Sequence, residues 1–257
     1  MKRRILAAII ISIFIGKTSV FAQPTNAPSK NDLTSLEGII IEKYYESTKE
    51  DSKDTIGGIL PEGSITYRIY VEMKPGYHLQ AIYGVPGHEF YFKTTTTFFN
   101  AKDGGESADK IIDKNINNNK VALDSWVTIG MATKTRYGVL KAEDKDGSII
   151  TRKTLDKTDG LMPVANASKL LYFGLDLSFF NDINNASYYH SDNGSIATVG
   201  GGKGVTAANK VLIAQLTTNG KLSFQLNVQI GTPSGAVMQF VAKDPMGTEI
   251  LFKKLTH

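Results

Sequence analysis

The stretch that most constrains this chain is 211–230, Val-Leu-Ile-Ala-Gln-Leu-Thr-Thr-Asn-Gly-Lys-Leu-Ser-Phe-Gln-Leu-Asn-Val-Gln-Ile. Two strand-like runs flank Asn219-Gly220, and Asn-Gly between β-type residues is the strongest short hairpin signal. Burial argues the register. A two-residue turn would set Leu222, Phe224 and Leu226 opposite Thr217, Gln215 and Ile213, mixing polar and apolar groups. A three-residue loop, Thr218-Asn219-Gly220 with Gly220 left-handed in a bulge, sets Leu216, Ala214 and Leu212 opposite Leu222, Phe224 and Leu226. A one-residue slip exchanges the two faces, so the three-residue loop is expected. Ser223, Gln225, Asn227 and Gln229 then form a polar ladder on the solvated face. That ladder is a candidate ligand-binding surface, because hydroxyls and neutral amides suit hydroxyl-rich ligands.

Alternation over 66–73, and apolar or β-type runs between turn residues elsewhere, mark further strands. Strands are expected over 38–45, 66–73, 79–83, 89–99 and 123–131. A hairpin is expected over 135–154, around Asp144–Gly147. Residues 170–179 read as a buried strand, and 237–242 and 248–255 as a final hairpin around Lys243–Gly247. Two polar stretches interrupt the pattern, 100–120 and the Asn/Gly/Ser-rich 181–209, and both read as long loops. A short helix is expected within the first, at Ala108–Asp113. Many short strands with turn residues between them, and almost no helical periodicity, predict an all-β fold: a single jelly-roll-like β-sandwich. The expected division is a signal peptide at 1–22, a flexible leader at 23–32 and the sandwich at 33–257.

The signal peptide is read from Lys2-Arg3-Arg4, the apolar run Ile5–Gly16 and the small-x-small site Val20-Phe21-Ala22, with cleavage after Ala22. The run is shorter than the roughly 20 residues that span a bilayer, so no stable membrane insertion is expected after cleavage. The chain has 29 basic and 25 acidic residues. Four of the basic ones, Lys2, Arg3, Arg4 and Lys17, fall inside 1–22, so the remainder is balanced. Nucleic-acid binding loses its electrostatic footprint. The absence of cysteine removes thiol catalysis, thiolate zinc sites and iron–sulfur clusters.

Six phrases, taken together, resemble a family. They are Thr66-Tyr-Arg-Ile-Tyr70, Leu79-Gln-Ala-Ile-Tyr-Gly84, Thr95-Thr-Thr-Phe-Phe99, Leu123-Asp-Ser-Trp-Val-Thr-Ile-Gly130, Val211-Leu-Ile-Ala-Gln-Leu-Thr-Thr218 and Leu226-Asn-Val-Gln229. The chain is similar in these to secreted β-rich domains of marine and environmental bacteria, including Bacteroidetes. The resemblance implies export and a β-rich fold, and it carries no catalytic residues. The chain departs from the family pattern around 185–210, where Ser187-Tyr-Tyr-His-Ser-Asp-Asn-Gly194 replaces a Gly-Trp-aromatic piece.

No catalytic motif is complete. Gly200-Gly-Gly-Lys-Gly204 lacks the spacing and the Ser or Thr of a phosphate loop. Ser107-Ala-Asp-Lys110 and Ser191-Asp-Asn193 lack the third β-lactamase signature and its helical domain. His78, His88 and His190 have no Gly-x-Ser-x-Gly elbow to serve. Oxygen-ligand candidates for a metal are Asp103, Glu106 and Asp109 in the first long loop, and Asp144 and Asp146 before Gly147. The Asp144–Gly147 fragment lacks the carboxylates an EF-hand needs at its first and twelfth positions. Tyr67, Tyr70, Tyr77, Tyr83, Tyr91 and Trp126 are candidates for a carbohydrate platform, since aromatic faces are apolar with a polar edge. Trp126 and the ladder Ser223, Gln225, Asn227 and Gln229 are the ligand-binding candidates. The expected function is a non-enzymatic binding or adhesion module at the cell exterior, taking an extracellular glycan or protein and needing no cofactor. The alternatives are a glycosidase-like hydrolase with a carboxylate pair hidden in the fold, and a structural matrix component.

Overall fold

The computed structural model describes residues 27–147, 158–181 and 187–257. The expected signal peptide lies outside these residues. In chain order the strands are β1 (Leu36–Glu46), β2 (Ile65–Met73), β3 (His78–Gly84), β4 (Phe90–Thr94), β5 (Trp126–Val127), β6 (Arg136–Gly138), β7 (Leu161–Pro163) and β8 (Leu170–Phe173). They continue as β9 (Tyr188–Ser191), β10 (Gly194–Gly202), β11 (Lys210–Thr218), β12 (Leu222–Gln225), β13 (Asn227–Gly231), β14 (Val237–Val241) and β15 (Ile250–Leu251). Two α-helices of five and four residues accompany them, Lys49–Lys53 and Asn119–Ala122. The fold is all-β and sandwich-like.

A four-stranded sheet has the order β1-β2-β11-β5, and a six-stranded sheet the order β15-β14-β13-β3-β10-β8. Both contribute to one apolar cluster, which includes Ile69 and Val71 of β2, Ile213 of β11, Leu79 and Ile82 of β3, and Val228 and Ile230 of β13. A three-stranded sheet, β12-β4-β9, and the β6-β7 pair are hydrogen-bonded separately, yet add side chains to the same cluster, Phe92 and Phe224 from the first and Tyr137 and Leu161 from the second.

The expected hairpin of 211–230 does not form. β11 pairs with β2 on one side and with β5 on the other. β12 pairs with β4, and β13 with β14 and β3. Three consecutive strands therefore enter three different sheets. The reason is legible in β11 itself. Val211 through Thr218 are all buried, so the strand is covered on both faces and flanked on both edges. A two-stranded ribbon with one wet face cannot supply that cover; a central strand can.

The turn chemistry also differs. Gly220 is absent from the residues with positive φ, so left-handed backbone is not what requires it. A Cβ on Gly220 would stand 2.5 Å from the Oγ1 atoms of both Thr94 and Thr96. Close approach of the chain to a threonine cluster is what demands glycine here. Thr218 Oγ1 lies 2.7 Å from Thr94 Oγ1 and 3.0 Å from Thr96 Oγ1, and accepts the Gly220 N–H at 2.9 Å.

Other expectations changed for related reasons. The stretch read as the second long loop contains β9 and β10; its Gly200-Gly201-Gly202 closes a strand rather than a flexible loop. Residues 182–186 of that stretch lie outside the described residues. β6 pairs with β7, not across a hairpin at Asp144–Gly147, and 148–157 lie outside the described residues. Residues 170–179 divide into β8 and a 3-10 turn at Leu177–Asn181. β15 lies parallel to β14, so 237–255 is not a hairpin either.

Candidate functional site: the open face of the three-stranded sheet

The inner face of β12-β4-β9 is aromatic. Phe90, Phe92, Phe224 and Tyr189 are each at most 4% exposed. Phe90 meets Phe92 and Tyr189 edge-on with centroids 6.5 and 6.0 Å apart, and Phe180 lies 4.8 Å from Tyr189. Offset and edge-on ring pairs of this kind add stability beyond the area they bury. On the β12 side the C-terminal residues continue the sheet. Phe224 N–H donates to His257 O at 3.1 Å, and His257 N–H donates back to Phe224 O at 3.0 Å.

Alternation puts a different set on the outer face. Ser223 faces Lys93 across the ladder, and Lys93 faces Tyr188. In the next row Gln225 faces Tyr91, and Tyr91 faces His190. Tyr188 is 39% exposed, and its ring stacks on His190 with centroids 4.4 Å apart and planes 8° from parallel. Tyr91 leans on Tyr188 at 5.8 Å and 58°. Lys93 Nζ stands 5.6 Å from the Tyr188 centroid, within cation–π range. Glu89 Oε1 ties the group together: it accepts the Tyr188 hydroxyl at 2.8 Å and pairs with His190 Nδ1 at 2.6 Å. Partial burial, and then the hydrogen bond to Glu89, push the Tyr188 phenol up to about 12, so it stays a neutral donor at physiological pH. The face thus presents ring surface, hydroxyls, one amine, one imidazole and one carboxylate on a hydrogen-bonded sheet.

The ladder expected on a solvated face is distributed differently. Ser223 is half-buried on the open face. Gln225 is 6% exposed and donates to Glu89 O at 2.6 Å, which holds the start of β4 against β12. Asn227 is 1% exposed; its amide donates to Tyr83 O at 3.1 Å and His88 O at 2.9 Å. Gln229 is also buried and donates to Gln80 Oε1 at 2.8 Å. Asn227 and Gln229 are therefore internal fasteners and not a ligand face, because β13 is an inner strand of the six-stranded sheet. Trp126 is 2% exposed and belongs to the core cluster. Of the aromatic platform candidates, Tyr70, Tyr77 and Tyr83 are buried too, and Tyr91 is the one that reaches the open face.

Tyr188 and His190 lie in a stretch whose composition reads as a loop, so the sequence does not mark them as ligand-binding candidates. The signal was present: in Ser187-Tyr-Tyr-His-Ser191 an aromatic pair begins an alternation, with Tyr188 and His190 on one face and Tyr189 on the other.

The oxygen-ligand candidates do not converge. Among the described residues no group of three or more His, Asp or Glu side chains could hold a metal ion. Asp109 accepts the hydroxyls of Ser107 and Tyr172 at 2.8 and 2.7 Å. Asp144 accepts the Gly147 N–H at 3.2 Å and the Gly160 N–H at 2.9 Å, which is turn and loop chemistry. Asp103 is exposed, Glu106 is half-buried, and Asp146 is exposed beside Gly147. Nor do the histidines meet a serine among the described residues. His88 is 1% exposed with Nε2 3.0 Å from Glu249 Oε2, and His78 lies 3.4 Å from the Gln80 amide.

The phrase Leu123-Asp-Ser-Trp126 has a structural use. Asp124 is fully buried and accepts the Ala101 and Gly105 N–H groups at 2.7 and 2.9 Å. Burial pushes its carboxyl well above the usual range, against those hydrogen bonds. Ser125 Oγ donates to Phe99 O at 2.7 Å and accepts the Thr217 N–H at 3.0 Å. Gln215 donates to Ala122 O and Asp124 O, and accepts from Arg68 Nε at 3.0 Å. Arg68 is 2% exposed and stacks 3.6 Å from the Tyr44 ring centroid. With Arg68 Nη1 also donating to Gly160 O at 3.0 Å, this buried polar node fastens the segments at 99–105, 122–125 and 159–160 to the central strands.

No family model matches the chain, and neither a curated protein nor a solved structure matches it.

Proposed function

We propose that this chain is an exported binding module that recognises a neutral glycan through the open face of β12-β4-β9. The observation that carries the reading is Tyr188: a residue 39% exposed, its ring stacked on His190 and inclined to Tyr91, with its hydroxyl donating to Glu89. A ring held rigid before binding loses little entropy on contact, which favours stacking of an apolar sugar face. Ser223, Lys93, Glu89 and His190 surround it with donors and acceptors for hydroxyls. Export is supported by the basic-apolar-small pattern of residues 1–22. Among the described residues no helix is long and apolar enough to cross a membrane.

The test is a glycan array probed with the labelled protein. Binding to a restricted set of neutral glycans, reduced at least tenfold in Tyr188→Ala, is the expected result. Turnover of a glycoside panel with no retained glycan would replace this reading with the hydrolase one. Binding of proteins alone from the same panel would move the ligand class to protein.

A further inference from the structure

A cleft of about 290 Å³ lies between the loop at Gly58–Pro61 and the segments at 97–100 and 218–219. Its position follows from the chain. Thr97 comes three residues after the end of β4, and Asn219 three residues before the start of β12. The strands that carry Tyr91, Lys93 and Ser223 therefore lead to the cleft, and Tyr91 and Thr97 are separated by at most about 20 Å of chain.

The walls are of two kinds. Phe98, Phe99 and Ile59 supply apolar surface, while Thr97, Asn100 and Asn219 supply a hydroxyl and amides. Thr97 and Asn219 are exposed at the rim, and Ile59 is 71% exposed beside them. Backbone conformation shapes the loop. Gly58 has φ +130°, and a Cβ there would come within 3.1 Å of the Phe99 ring, so glycine lets the loop rest on that ring. Asn100 is held in place by donating to Phe179 O at 3.0 Å. Among the described residues, none that lines the cleft is ionisable. A charged ligand would lose hydration there with nothing to pair it, whereas a neutral one would not. The volume is at the lower edge of that of small-molecule sites, the size of a single-ring ligand.

We infer that this cleft is a ligand site for one uncharged, hydroxyl-bearing ring with an apolar face, and that it receives the end unit of a glycan lying along β4 and β12. The ligand class rests on the glycan reading of the open face; the cleft's neutrality, volume and mixed lining do not. Tyr188 would then grip the interior of the chain and the cleft its terminus.

The experiment is an amide-resolved NMR titration of the full protein with the methyl glycosides of glucose, galactose, mannose and N-acetylglucosamine. At least one should shift the amides of Gly58, Asn100 and Asn219. Thr97→Val and Asn219→Ala should each weaken that binding about threefold to tenfold, as expected for one net hydrogen bond. The undisturbed amide spectrum of each variant verifies its fold. Absence of shifts at the cleft with all four glycosides overturns the inference, as do shifts that survive both rim substitutions. Glycan-array binding that depends on Tyr188 while the cleft stays silent would sink the cleft and leave the open face standing.

Discussion

Gly220 shows how a residue can be placed correctly for the wrong reason. The sequence points to a glycine after Asn219, and the expected cause was positive φ; the actual cause is contact with Thr94 and Thr96. Gly220→Ala should therefore cost about 1–3 kcal/mol by overpacking, measured by urea unfolding, although its φ would tolerate alanine. A cost near zero would show that the threonines simply move aside. Asn227 makes the complementary point. As a solvated ladder residue it would be dispensable; as a buried donor to Tyr83 O and His88 O it is not. Asn227→Ala should cost about 1–3 kcal/mol because two buried carbonyls lose a partner. Phe224→Ala should cost about 3–5 kcal/mol from the aromatic inner face. At Asp113, burial works against ionisation, but hydrogen bonds from Thr133, Thr135 and Arg136 prevail and hold the carboxyl below its ordinary 3.8. A depressed folded value contributes stability above the unfolded value, which disappears as pH falls through the folded one. Asp113→Ala should thus be less stable than the parent at pH 7, with the difference shrinking as pH drops below about 3.8. A gap that is constant with pH would mean the carboxylate's charge plays no part.

Elements were legible where alternation or a buried run was strong. β1, β2, β3, β4 and β14 fall within or close to the expected spans: β2 alternates at the pleat spacing, and β1 carries the apolar run Ile39-Ile40-Ile41. Partnership was not legible. Val211–Thr218 reads as half of a hairpin by its neighbours and as a central strand by its own continuous burial, and burial decides. β9 and β10 were hidden by composition: glycine and asparagine suggest loop, yet β10 lies between β3 and β8 in the six-stranded sheet. At the candidate site, Ser223 and Tyr91 could be named from sequence, but Tyr188 and His190 could not be placed beside them. Their neighbours on the ladder come from a strand about a hundred residues earlier, and no local pattern encodes that pairing. The buried node of Arg68, Gln215 and Asp124 was equally invisible, since each residue type is most often exposed.

At the scale of the molecule, the sandwich supplies a rigid support and β12-β4-β9 supplies the open face. The proposed export would give that face its setting: mass spectrometry of the native protein should then find Gln23 as the N-terminus, and an intact Met1 on cytosolic material would contradict it. The most direct test of glycan recognition is calorimetric titration of one array-positive neutral oligosaccharide into the parent protein and Tyr188→Ala. The parent should bind, and the variant should retain the fold while its Kd rises at least tenfold, the loss of about 1.4 kcal/mol that removal of a stacking ring implies. Equal affinity in the two proteins, or no oligosaccharide bound by the parent, would contradict the account.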